Sequence, residues 1–184
     1  MNTQKQFLSS LKVAIPLLLC YHLLPAQQGN FCDDLLPVSL IQEVCGEFAA
    51  DVRVKVNSDV TENMANCSRL YGKGTPSPFK NNLVLQVSPI SAKKNAREII
   101  NVYARGAQQF FYFEYLPQLG DYGVRYLEPD QGSGNTCGVI AFVKNGLLIE
   151  LKDTNWGDRD LNSFIFSIEQ LQTIAEKMAA NMTQ

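Results

Sequence analysis

Histidine is almost missing from this chain. Of its 184 residues one is histidine, His22, and that residue falls in an apolar N-terminal stretch. A mature domain without imidazole has neither a Ser-His-Asp nor a Cys-His nucleophile, and it lacks the commonest ligand of catalytic zinc and iron. Net charge is equally scarce: a formal value of -2 leaves no electrostatic footprint for nucleic acid. Past the N-terminal stretch no run is long and apolar enough to span a bilayer. Cys32, Cys45, Cys67 and Cys137 stand far apart along the chain, whereas a zinc site asks for closely spaced ligand pairs. The loop Asp153-Thr154-Asn155-Trp156-Gly157-Asp158 lacks the alternating oxygens and terminal Glu of a calcium loop. No metal and no cofactor is therefore expected.

What the N-terminus does contain is a leader pattern. Lys5 and Lys12 precede the apolar run Val13 to Cys20, and Leu23-Leu24-Pro25-Ala26 ends on a small residue suited to cleavage. Residues 1–26 read as a secretory signal and 27–184 as a single domain, periplasmic or secreted. An apolar run ending in cysteine also marks acylated lipoproteins, so anchoring through Cys20 is the alternative; Leu19 before it is larger than that motif uses. Four cysteines then remain in an exported chain, which calls for two disulfides. They can pair in three ways, and the sequence does not choose.

The organising stretch is Gly138 to Thr154. Two apolar runs meet at Asn145-Gly146, the pair that best tolerates the positive φ angles of a two-residue hairpin turn. That loop sets Phe142 against Ile149 and Ile140 against Leu151 on a core face. Ala141 then faces Glu150, and Val139 faces Lys152, on a half-wet face. A lone ribbon is marginal and needs further strands and a helix. Strict alternation in Val52-Arg53-Val54-Lys55-Val56 predicts a strand with three valines on one face, broken at Asn57-Ser58-Asp59. Further strands are expected at Cys67 to Tyr71, Leu83 to Val87 and Val124 to Leu127. Loops are expected at Gly72 to Pro78 and Glu128 to Asn135, which are rich in turn residues.

Helical spacing of Leu40, Ile41, Val44 and Cys45 predicts a first helix, with Asp34 as cap, Pro37 in the first turn and Gly46 at the stop. The stripe Ala92, Ala96, Ile99, Ile100 and Tyr103 predicts a second, capped by Ser91. Ser167 with Gln170 forms a capping-box pattern ahead of Ile168, Leu171, Ile174, Ala175 and Met178, which predicts a last helix packed beside the second. The fold class is α+β: an antiparallel sheet packed against helices.

The leader, the Cys32-Asp33-Asp34-Leu35-Leu36 opening, the Cys67 strand and the Leu116-Pro117-Gln118-Leu119-Gly120-Asp121 turn ahead of the hairpin and last helix form one pattern. It resembles a family of secreted bacterial lipoproteins of unknown function, and the related extracellular sensor-type and PsbP-like domains. The resemblance covers most of residues 31 to 180 and implies a PsbP-like α/β sandwich. It also implies a disulfide from Cys32 to Cys67, and with it one from Cys45 to Cys137. It carries over no catalytic residues.

Candidate contact residues follow from chemistry. Phe110, Phe111, Tyr112, Phe113 and Tyr115 form an aromatic run suited to an apolar ligand or a partner surface, although aromatics more often bury their area in a core. Asp121 sits in a Gly-rich turn that is either a binding edge or a plain turn, and Trp156 stands in a polar loop. The function expected is a non-enzymatic exported domain that binds an envelope protein or an apolar ligand. The alternative is a hydrolase of envelope polysaccharide that uses paired loop carboxylates among Asp121, Asp153, Asp158 and Asp160.

Overall fold

The structure, a computed structural model, describes residues 31–59, 67–73, 82–91, 94–129, 136–154 and 167–182. The leader with Cys20, the loop bearing Trp156, Asp158 and Asp160, and residue Ala92 lie outside the described residues. Among those described, seven strands form one antiparallel sheet: β1 (Val52–Asp59), β2 (Cys67–Lys73), β3 (Asn82–Pro89), β4 (Phe111–Leu116), β5 (Tyr122–Pro129), β6 (Thr136–Lys144) and β7 (Leu147–Thr154). Their spatial order is β1-β2-β3-β7-β6-β5-β4, so the meander β1 to β3 joins the meander β4 to β7 where β3 pairs with β7. Four α-helices among the described residues accompany it: α1 (Phe31–Leu35), α2 (Val38–Cys45), α3 (Ala96–Tyr103) and α4 (Ile168–Asn181). The class is α+β with more sheet than helix.

The β6–β7 hairpin has the register its sequence dictates. Phe142 pairs with Ile149, Ile140 with Leu151, Ala141 with Glu150 and Val139 with Lys152. Asn145 and Gly146 take φ of 50° and 77°, as a type I′ turn requires. On one face Ile140, Phe142, Ile149 and Leu151 join Leu83, Leu85 and Val87 of β3 under α1, α2 and α4. The opposite face is the half-wet surface expected on its β7 side, where Glu150 and Lys152 are half-buried, but not on its β6 side. Val139, Ala141 and Val143 are buried there with Val124 against Ile100 and Ala104, because α3 and the 3-10 turn that extends it cover β5 and β6. Period-2 alternation shows which residues share a side, but it cannot show that a helix from elsewhere covers the second side.

The helix caps differ in how they meet expectation. Ser167 Oγ accepts from the Gln170 amide at 3.1 Å while Gln170 Oε1 accepts from the Ser167 amide at 3.0 Å, the reciprocal pair of a capping box. The second predicted helix starts later: Asn95, not Ser91, caps α3 through a 2.8 Å bond from the Glu98 amide. The first is split in two. Asp34 lies inside α1, and Pro37, with its extended ψ of 148°, stands at the N-cap of α2. The last helix does not lie beside the second. Its Leu171, Ile174, Ala175 and Met178 join the cluster under α2, on the face opposite α3. The strand from Val52 also outlasts its expected break and runs to Asp59. A bulge between Val54 and Val56 pairs Val56 with Leu70 instead of continuing the register of Val54 with Tyr71.

The N-terminal helix is fastened to β2 by three successive inward positions of that strand. Cys67 forms a disulfide with Cys32, with Cα atoms 6.2 Å apart. Two residues on, Arg69 is fully buried and its Nε donates to Asp33 Oδ1 at 2.6 Å. Two further, the Tyr71 hydroxyl donates to the Leu36 carbonyl at 2.7 Å. The expected partner disulfide is absent: Cys45 and Cys137 are buried thiols. Cys45 lies at the end of α2 in the α4-side cluster, and burial pushes its thiol up to about 11, which keeps it unreactive.

Candidate functional site at the outer strand

The aromatic run, with Phe110 just before it, forms β4, the strand at one margin of the sheet, and it splits in two directions. A register shift between Phe111 and Glu114 marks a bulge, and Tyr112 within it adopts φ 54°, a left-handed conformation that an aromatic residue seldom takes. Either side of the bulge the run turns inward on the α3 face. Phe110 and Phe113 lie 5.9 and 6.4 Å from the Tyr126 ring, and Tyr115 lies 5.8 Å from Tyr122. Phe111 and Tyr112 point away and are 68% and 74% exposed. The packing expectation therefore fits Phe110, Phe113 and Tyr115, and the contact expectation fits the two residues that the bulge turns out.

Asp121 is a turn residue. Gly120 before it has φ 62°, and the Asp121 amide donates to the Val143 carbonyl at 2.7 Å. A Cβ on Gly120 would stand 2.5 Å from that same carbonyl oxygen, so only glycine lets the turn approach β6 this closely. The Asp121 carboxylate pairs with Lys144 at 3.5 Å on the surface. Asp153 is buried near the end of β7, opposite Leu83. Because Val143 pairs with Leu148, five residues before Asp153, the two carboxylates are separated by about 16 Å of strand, too far for a hydrolytic pair. Among the described residues no three His, Cys, Asp or Glu side chains converge as a metal site.

Compared with protein-family models, with curated proteins and with solved structures, the chain matches none.

A second polar constellation escaped the sequence reading. Tyr103, read there as one member of an apolar helix stripe, donates its hydroxyl to Glu150 Oε2, and the Tyr126 hydroxyl stands 3.4 Å from that of Tyr103. Helix α3 supplies the first tyrosine, β5 the second and β7 the glutamate. A tyrosine in an otherwise apolar stripe opposite a strand glutamate was the available signal, but pairing them requires knowing that α3 crosses β7's neighbours. Burial, then the Glu150 carboxylate, pushes the Tyr103 phenol well above the ordinary tyrosine range. Burial raises Tyr126 to about 12, and burial with Asp33 nearby raises Tyr71 beyond that range.

These shifts have one sign. Each phenol holds its proton more tightly in the folded chain than in the unfolded one, whose tyrosines titrate near about pH 10. Stability from this source is complete below that pH and falls as pH rises toward the folded values, because only the unfolded chain releases protons there. Urea midpoints measured from about pH 8 to 11 should stay level and then drop above about pH 10. Tyr103→Phe should flatten the drop.

Proposed function

We propose that this is an exported, non-enzymatic domain of the cell envelope, periplasmic or secreted, that binds a partner protein through the outward aromatics of β4. The observation that carries the reading is the adjacency of Phe111 and Tyr112, both mostly exposed, on the outermost strand. Aromatic side chains bury roughly 150–250 Å² each when covered, so two exposed rings beside one another offer an apolar patch of the kind that marks protein interaction sites. The bulge at Tyr112 interrupts the ladder edge, which blunts indiscriminate strand pairing and leaves contact to the rings themselves. A small apolar ligand would need a concave site that encloses most of its surface; a projecting margin suits another protein.

Export is supported by the leader pattern and by the buried disulfide, which persists in an oxidising compartment. The finer likeness to secreted lipoprotein, sensor-type and PsbP-like domains belongs to the same proposal. Helices on both faces of an antiparallel sheet are compatible with it.

The test is affinity purification from envelope extract with mature wild-type protein and with Phe111→Ala/Tyr112→Ala as baits. Because both side chains are mostly exposed, the double variant should unfold within about 0.5 kcal/mol of wild type per substitution. A protein retained by wild type and lost from the variant is the expected result. A wild-type bait that elutes as a clean monomer, or equal capture by both baits, overturns the reading.

A further inference from the structure

The tyrosine–glutamate constellation borders a pocket of about 140 Å³ lined by Gln86, Ser88, Tyr103, Leu148 and Glu150. We propose that this pocket binds the protonated amino end of a small ligand, with the Glu150 carboxylate as its counter-ion. The lining carries a single formal charge, that of Glu150. The nearest cation in sequence on the same side of β7, Lys152, is engaged by Glu128 at 2.5 Å. Tyr103 holds Oε2 in place, and Oε1 accepts no hydrogen bond among the described residues. Gln86 lies directly across from Glu150 in the β3–β7 ladder, and Ser88 across from Leu148.

The carboxylate oxygen, the Gln86 amide oxygen and the Ser88 hydroxyl are acceptors around one small space, which matches the three N–H donors of a primary ammonium. Leu148 offers an apolar wall for the attached methylenes, and Tyr103 an aromatic neighbour for the cation. A carboxylate or phosphate ligand would meet Glu150 with like charge. A magnesium or calcium ion would want six or more oxygens in place of this short set. At about 30 Å³ of liquid volume per water, the space holds roughly four or five such units, which fits a short alkylamine or the tip of a longer one.

The test titrates the isotope-labelled full chain with n-butylammonium, n-butanol and butyrate, three probes of one size and different charge, following backbone amides by NMR. Saturating shifts at Gln86, Leu148 and Glu150 with butylammonium, weaker ones with butanol and none with butyrate are expected. Glu150→Gln should weaken butylammonium by about ten-fold or more, as loss of a charged hydrogen-bond partner does. Equal response to butyrate or butanol, absence of saturable shifts with butylammonium, or unchanged affinity in Glu150→Gln overturns the proposal. If Glu150→Gln does not fold, Gln86→Leu, whose side chain is exposed, takes its place and must weaken butylammonium measurably; unchanged binding there also overturns the proposal. Loss of Phe111 and Tyr112 should leave this binding intact, so it fails or stands separately from the partner surface.

Discussion

Replacing Cys32 and Cys67 by serine, or reducing their disulfide, should lower the unfolding free energy by about 4 kcal/mol. The bridge closes a loop with a sequence separation of 35, and the chain-entropy relation assigns about that value to a loop of this size. A domain of ordinary stability, about 5–15 kcal/mol, loses a large share with it. Both cysteines are buried, Cys32 fully, so the reduced thiols also leave two weakly bonded sulfur atoms in a packed place. Urea denaturation with and without reductant measures the effect directly. Cys45→Ala and Cys137→Ala, which touch no disulfide, should leave the response to reductant as in wild type. A wild-type midpoint insensitive to reductant, with reduction verified by thiol titration, would contradict this account.

The second large effect is asymmetric. Asp33→Ala should cost roughly 3 kcal/mol, because the fully buried Arg69 guanidinium then loses the carboxylate bonded to its Nε and keeps neutral partners such as the Ser68 carbonyl, 3.1 Å from Nη1. Arg69→Met should cost clearly less. Asp33 keeps 31% of its side chain exposed and can hydrate once the cation is gone, while methionine fills the cavity that the guanidinium stem leaves. The double variant Asp33→Leu/Arg69→Met should be more stable than Asp33→Ala alone, since replacing a buried pair by apolar side chains is often neutral or favourable. Equal costs for the two single variants, read from denaturant midpoints, would contradict the asymmetry and with it the dependence of the buried cation on Asp33.

How much of this was legible depended on the range of the interaction. The Asn145-Gly146 turn, the hairpin register and the Ser167 capping box are settled by residues within a few positions of one another, and the structure has them as expected. The face on which α4 packs is decided by a sheet assembled from distant segments, and the sequence reading placed it wrongly. Strand β1 runs through Asn57-Ser58-Asp59 because the neighbouring β2 supplies partners for those residues; tertiary pairing overrides local turn preference. Asn95 displaces Ser91 as the cap because either residue type can accept the same amide bond, and four positions decide where the apolar stripe meets the sheet. The even cysteine number suggested two bridges, yet Cys45 is committed to α2 packing under α4, and burial there is reason enough for a cysteine. At the outer strand, composition located the aromatic run, but only the bulge at Tyr112 decides which rings face out.

The β3–β7 junction has a consequence for synthesis from the N-terminus. Pro89 must wait for Leu147, and Asn82 for Thr154, so β1 to β3 emerge with the whole flank of β3 unfilled. Until β7 arrives, Leu83, Leu85 and Val87 stand on an open ladder of backbone donors and acceptors. The nascent chain is thus most prone to sticking to itself or to its neighbours during that interval, and slowed elongation before Leu147 would lengthen it.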